Sequence, residues 1–393
     1  MRAITWQGRG EVALTEAADP KLEEPDDIII RLTSTAICGS DLHLYGPLTP
    51  FMSPGDVLGH EGMGRVLEVG PAVQHLNVGD RVVVPFNISC GECRQCMRGL
   101  TSQCEVTQVR AQGSGAALLG YSRLYGQVPG AQAELMRVSK ANFGPVKVPE
   151  THGDDRWLFL SDILPTAWQA VTYAGLEPGQ SIVVLGLGPV GQLITRCARL
   201  RGAGCIIAVD PIPERLALAR GAGCEVVDAF SPGAELMIAD LTDGRGPDCV
   251  VDAVGMEAYG SPFARAAVGV VSALPRRLAA GISKVAAIDR LAAFKTAVRV
   301  VGRGGTISLA GVYDGTLDPV NLRLLFDKQI TLRMGQANVR NWTDELLTQL
   351  SGDVEPFGVD SLATQHLPLE EAPEAYRRLR DRDPGWLKVV LNP

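Results

Sequence analysis

Ile182–Leu185 is an unbroken apolar run that ends on Gly186-Leu187-Gly188-Pro189-Val190-Gly191, and a helix-like stretch, Gln192–Arg201, follows. This order restricts the fold more than any other feature of the chain. A short continuous apolar run is a strand buried on both faces, and such strands belong to parallel sheets covered by helices. Gly-x-Gly-x-x-Gly between strand and helix is the turn that seats a dinucleotide pyrophosphate on a helix N-terminus. In that turn Gly186 permits the tight bend, Gly188 lets the backbone approach the phosphates, and Gly191 lets helix and strand pack closely. Pro189 and Val190 complete the candidate cofactor-binding turn.

The surrounding pattern agrees. Ile206–Val209, Glu225–Val227, Asp248–Val254 and Thr306–Leu309 read as further strands, and Pro213–Arg220 as a helix between the first two of them. Strands alternating with helices make parallel βαβ units. Asp210 closes the strand after the turn, nineteen residues beyond Gly191. A carboxylate there accepts from the ribose hydroxyls of NAD and repels a 2′-phosphate. Residues 1–155 have a different texture: short β-like runs such as Ile28–Leu32, Gly64–Val69 and Arg81–Val84, separated by Gly-Asp and Pro turns, read as an irregular β domain. A chain of 393 residues is long for one core, and two domains are expected. Residues 256–297, Ala-rich and weakly charged, read as an inserted helical excursion.

Four cysteines, Cys90, Cys93, Cys96 and Cys104, stand in Cys-x2-Cys-x2-Cys-x7-Cys spacing. Four thiolates that close match the closed tetrahedral shell of a structural zinc. An iron–sulfur cluster of the bacterial ferredoxin type uses a last gap of three followed by proline; here the gap is seven and Glu105 follows. Upstream stand Cys38-Gly39-Ser40-Asp41-Leu42-His43 and Gly59-His60-Glu61. Nine cysteines, an odd number with four in metal spacing, fit a reducing compartment. The net charge of −7 argues against nucleic acid or an anionic membrane as partner. The first residues lack the apolar core of a signal peptide, and no stretch of 18 apolar residues occurs, so no membrane span and a cytoplasmic location are expected.

Together these motifs resemble the zinc-dependent alcohol dehydrogenases of the medium-chain superfamily. The stretch Leu160-Ser161-Asp162-Ile163-Leu164-Pro165-Thr166-Ala167-Trp168, and the loop Gly120–Gly130 followed by Ala141-Asn142-Phe143-Gly144, resemble its glutathione-independent formaldehyde dehydrogenase branch. The resemblance implies an α/β chain. A GroES-like irregular β catalytic domain would span 1–164 and 314–393, with a structural zinc lobe near 88–106. A doubly wound Rossmann domain would span 165–313. It implies two zinc ions per chain and NAD. Cys38, His60 and Asp162 would hold the catalytic zinc, with Glu61 as an alternative ligand. Residue chemistry alone favours Ser161 or Asp162 as a cap of the helix that begins near Ile163. By the same resemblance Ser40 would bridge the substrate oxygen to solvent and His43 would relay the proton. Arg215 would stand beside the ribose and Lys388 would meet the pyrophosphate; as bare residues, both also read as solvated surface charges.

The implied reaction is hydride transfer to NAD from a zinc-bound small-molecule alcohol or aldehyde hydrate. A secondary-alcohol or polyol dehydrogenase, and an aldehyde dismutase that retains its cofactor, are alternatives on the same scaffold. Superfamily members without catalytic zinc lack the Cys38/His60 pair, which separates this chain from a non-catalytic zinc-stabilised NAD-binding protein. A homo-oligomer, dimer or tetramer, is expected.

Overall fold

The computed structural model describes residues 1–46, 48–255, 291–313 and 320–393. They form two compact units, Met1–Thr166 with Ala337–Pro393, and Ala167–Gln336.

The first unit is built on antiparallel pairing. β1 (Arg2–Gly8) and β2 (Glu11–Glu16) form a separate hairpin-paired sheet. The larger sheet has seven strands: β3 (Ile28–Ile37), β4 (Glu61–Val69), β5 (Arg81–Val84), β6 (Leu135–Val138), β7 (Val146–Lys147), β14 (Gln365–Pro368) and β15 (Val389–Asn392). They run in the order β14-β15-β3-β4-β5-β7, with β6 also paired to β3. β3 is longer than the apolar run Ile28–Leu32 suggests. Thr33–Thr35 interrupt the apolar pattern, yet Ser34 and Thr35 are buried. Their hydroxyls are satisfied by Asp154 Oδ2 at 2.8 Å and by the Glu61 carbonyl at 2.6 Å, which removes the cost of burying them. Two large apolar clusters lie in the described part of this unit. One gathers Ile4, Trp6, Leu44, Tyr45, Val389 and Leu391, the other Ile28, Ile30, Val66, Val82 and Met136.

The second unit is the parallel sheet that the glycine turn calls for. Its strands are β8 (Ser181–Leu185), β9 (Cys205–Asp210), β10 (Glu225–Asp228), β11 (Cys249–Asp252), β12 (Thr306–Leu309) and β13 (Thr331–Met334). All pair in parallel, in the order β10-β9-β8-β11-β12-β13. Counted within the unit this is the 3-2-1-4-5-6 order of a doubly wound Rossmann sheet, with its switch point between β8 and β11. The strands bury Val183, Leu185, Ile207, Val250 and Ile307 in one cluster.

The expected division at residue 313/314 falls inside this unit, because β13 extends the sheet past it. β13 is an edge strand with all four residues exposed, so it carries no buried run in the sequence. The helical excursion expected over 256–297 lies outside the described residues up to 290; its last part is the helix Ala292–Val300.

Candidate metal centres and nucleotide turn

Strand register assembles the first site. β3 ends at Ile37 and β4 begins at Glu61, which pairs with Ala36. Cys38 therefore leaves one strand beside the point where His60 enters the next. Asp162 arrives from a different element, between a 3-10 turn (Phe159–Ser161) and the helix Ile163–Ala174. One potential ligand atom from each of Cys38, His60, Glu61 and Asp162 lies within 4.8 Å of the others. Asp162 Oδ2 is 3.4 Å from Cys38 Sγ and 3.3 Å from His60 Nε2. The other oxygen, Oδ1, accepts from the Thr166 hydroxyl at 2.9 Å. The carboxylate is thus tied to the first turn of the following helix through a side chain, while its free edge faces the thiol and the imidazole.

Three partners position this cluster that residue patterns did not single out for the task. Asp41 Oδ1 lies 3.0 Å from His60 Nδ1, so Nε2 is the nitrogen turned toward Cys38 and Asp162. Asp41 Oδ2 also accepts from the Cys38 backbone N–H at 2.9 Å. A carboxylate behind a histidine is the usual way to fix ring orientation at a metal site. Thr166 holds Asp162. Lys388, expected at the pyrophosphate, is instead wholly buried and sits 2.5 Å from Glu61 Oε1. Its ammonium is committed inside the first unit, because β15 places it level with the ends of β3 and β4. Asp41 stood within a motif whose other members carried the signal. The other two depend on long-range register.

Burial pushes the Cys38 thiol up to about 11, and the nearby Asp162 carboxylate adds to the shift. Burial also raises Glu61 despite Lys388. Desolvation works against a charged His60, but Asp41 and Asp162 outweigh it and hold the imidazole well above its usual value. Glu61 Oε2 is buried with no hydrogen-bond partner among the described residues. One thiol, one imidazole and two carboxylates crowded out of water form a donor set that a divalent cation fits. Ser40 belongs to the same place, its Oγ 3.1 Å from His60 Nε2. His43 is buried one turn along the helix Gly39–Tyr45.

The four remaining motif cysteines converge on a second centre, each Sγ within 4.8 Å of the others. Backbone N–H groups point at the sulfurs: Cys90 N donates to Cys104 Sγ at 3.4 Å, Cys93 N to Cys90 Sγ at 3.3 Å, and Glu105 N to Cys93 Sγ at 3.3 Å. Burial opposes ionisation of Cys93, but the N–H groups of Cys96 and Glu105 hold its thiol at about 6. Against burial, backbone donors also lower Cys104, whereas burial raises Cys90 and Cys96; it is the convergence of four sulfurs that suits a metal ion. Gly91 makes the tight turn between the first two ligands at φ +80°, and a Cβ there would stand 2.5 Å from the Phe143 ring. The remaining cysteines, Cys197, Cys205, Cys224 and Cys249, all lie in the second unit and are expected as small buried apolar residues; Cys197, Cys224 and Cys249 are buried, whereas Cys205 is only half-buried.

The glycine turn has the geometry its sequence implies. Gly186 has φ +87°, and a Cβ there would reach Val254 Cγ2 at 2.5 Å. Gly188 caps the helix Pro189–Leu200 and faces open space. Gly191 is the close approach, since a Cβ would lie 1.9 Å from the Gly186 carbonyl oxygen. Gly191→Ala is therefore expected to lower stability by about 1–3 kcal/mol, the range for overpacking against backbone; thermal unfolding against wild type is the check. Asp210, nearly buried, accepts from Leu187 N at 2.7 Å and Ile212 N at 2.8 Å. It ties the turn to the end of β9. Arg215 Nη1 is 3.9 Å from Asp210 Oδ2.

A doubly wound sheet carrying a glycine turn, joined in one chain to a Cys-His-carboxylate cluster and a four-cysteine lobe, defines a zinc-binding medium-chain dehydrogenase. The sequence matches the alcohol dehydrogenase GroES-like domain over residues 24–150 and the zinc-binding dehydrogenase domain over residues 189–267. The chain belongs to the zinc-type alcohol dehydrogenase family of the medium-chain superfamily, with formaldehyde dehydrogenases among its relatives. It is 38% identical to the zinc-type alcohol dehydrogenase-like protein AdhB of Bacillus subtilis, over 100% of both chains. It is 33% identical to the glutathione-independent formaldehyde dehydrogenase of Pseudomonas aeruginosa, over 100% of this chain and 97% of that one. Among solved structures it is similar to alcohol dehydrogenase TADH from Thermus sp. ATN1, at 34% identity and a TM-score of 0.82 over 100% of this chain and 99% of that one.

Proposed function

We propose that this chain is an NAD-linked, zinc-dependent alcohol/aldehyde dehydrogenase acting on a small substrate of the formaldehyde type, as its hydrate or a thiol adduct. The observation that carries this reading is the buried Cys38–His60–Asp162 cluster with Glu61 beside it. Likeness to a glutathione-independent formaldehyde dehydrogenase along the whole chain supports the substrate class. In such a site zinc acidifies a bound hydroxyl and polarises a carbonyl.

The residues around it have separate tasks. Asp41 keeps His60 Nε2 turned into the cluster, and Thr166 keeps one Asp162 oxygen turned away from it. The Ser40 hydroxyl, at His60 Nε2, receives the proton that the substrate loses. His43, buried one turn along the same helix, passes that proton on toward solvent. The Cys90–Cys93–Cys96–Cys104 lobe holds the second zinc and takes no part in the chemistry. The turn Gly186–Gly191 seats the pyrophosphate with Pro189 and Val190, and Asp210, with Arg215 beside it, receives the adenosine ribose.

Protein purified without chelator and assayed with formaldehyde and a series of primary and secondary alcohols tests this reading. Two zinc ions per chain and NAD reduction greatest with the smallest aldehyde are expected. One zinc per chain, or a clear preference for polyols, would overturn it. Turnover of aldehyde to equal amounts of alcohol and acid without added NAD would place the chain with the dismutases. NAD is expected to be favoured over NADP by at least ~10-fold, with Asp210→Ala narrowing the gap; the ratio of kcat/KM for the two cofactors measures it.

A further inference from the structure

Lys388 is one of the largest side chains in the molecule with no exposed surface. Strand register explains how it comes to be there. β15 starts at Val389, which pairs with Ile37 of β3, so the residue before it falls level with Cys38. Glu61 opens β4 opposite Ala36 on the other side of β3. The ends of three adjacent strands thus bring Lys388, Cys38 and Glu61 together at one edge of the metal cluster.

The ammonium has few contacts there. Nζ lies 2.5 Å from Glu61 Oε1, donates to the Ile37 carbonyl at 3.1 Å, and stands 5.7 Å from the centre of the Phe159 ring. Asp162 Oδ2 lies 3.3–3.4 Å from Cys38 and His60; Glu61 has an oxygen within 4.8 Å of the same ligand atoms, but its Oε1 is drawn to Lys388. The other, Oε2, has no hydrogen-bond partner among the described residues. Dehydrating a lysine is costly, and one carboxylate is a modest return unless its placement matters. Either half of such a pair alone is an uncompensated buried charge. For Glu61, the nearest remedy is the metal.

We propose that Lys388 is a positioning residue of the catalytic metal site: by pairing with Glu61 it holds that carboxylate out of the coordination shell and keeps the fourth position open. The inference rests on the reading that the cluster of Cys38, His60 and Asp162 holds a metal ion. Three protein ligands with an open position make a catalytic zinc; four protein ligands make a structural one. Lys388 then sets which kind of site the same four donors form.

Cobalt(II) in place of zinc, in the full-length protein, reports coordination directly through its visible spectrum, with imidazole as the probe of the open position. Wild type, Lys388→Met, Glu61→Gln and the double variant are compared. Lys388→Met is expected to bind imidazole at least ~10-fold more weakly and to release its metal to a chelator more slowly. NAD affinity is measured in the same variants, so that a pyrophosphate contact would show separately from the imidazole response. The double variant, without the charge on Glu61, is expected to regain the wild-type imidazole response. An unchanged response in Lys388→Met overturns the inference. So does at least ~10-fold weaker NAD binding with an unaltered spectrum, which is the mark of a pyrophosphate contact. If Lys388→Met does not fold, Glu61→Gln decides: full metal content and a wild-type imidazole response support the inference, and metal loss overturns it. Wild-type protein that carries metal only at the four-cysteine lobe overturns the reading of the cluster itself, and this inference with it.

Discussion

Asp162→Ala is expected to empty the Cys38–His60 cluster of metal and to lower kcat/KM by at least ~10²-fold. Removal of groups that merely support a ligand costs about 10–100-fold in metal affinity or activity, and Asp162 faces both the thiol and the imidazole at 3.3–3.4 Å. The four-cysteine lobe should keep its ion, so the metal count falls from two to one while the chain stays folded. Asp162→Ser separates ligand from cap. A serine preserves an N-cap, and loss of a cap in the alanine variant costs only about 0.5–2 kcal/mol with little change in turnover. A ligand role predicts that both variants lose the same metal. Full metal and normal turnover in Asp162→Ser would remove Asp162 from the site and leave Glu61 as the third ligand.

Cys104→Ser is expected to act on stability instead. Cys104 has no exposed surface, and its sulfur accepts from Cys90 N at 3.4 Å. The lobe packs only Cys96, Cys104 and Ala116 as a buried cluster of its own, with Cys90 and Cys93 against it. So small a core cannot hold these loops together without a staple. Metal binding supplies about 10–16 kcal/mol in small zinc modules, and even a fraction of that lost would lower Tm by many degrees. Proteolytic cleavage should appear first between residues 88 and 106, with the Cys38 cluster still metal-loaded in the protein that survives. Unchanged Tm and two metal ions per chain would show that the lobe is not held by an ion.

The parts that could be read from sequence are those whose signal is local. The four cysteines lie within fifteen residues, the glycine turn within six, and the strand that leads into it is a continuous apolar run. Pairing partners from distant segments left no such trace. Asp41 was visible within a motif, but only the fold brings its carboxylate behind His60. Lys388 resembles a basic residue near a phosphate until the β15–β3 register buries it. The division at 313/314 missed β13 because an exposed edge strand needs no apolar pattern. β3 was shortened for the converse reason: Ser34 and Thr35 are polar, and their burial is made tolerable by Asp154 and the Glu61 carbonyl, neither of which is adjacent in sequence.

The placement of β15 between β14 and β3 has a consequence for how the protein is made. The second unit is one uninterrupted stretch, Ala167–Gln336, and its six strands among the described residues all pair within it, so it can fold while the ribosome is still adding residues. The first unit cannot. Its sheet lacks a central strand until Val389–Asn392 are synthesised, and the contact between Lys388 and Ile37 closes a separation of 351 residues. Segments made earlier must wait, partly unpaired, for β15. During that interval Cys38, His60 and Glu61 are on the nascent chain without the strand that aligns them. Vectorial synthesis therefore orders events: the parallel sheet can form first, and the end of β3, next to β4, gains its other neighbour only once Val389–Asn392 have been made.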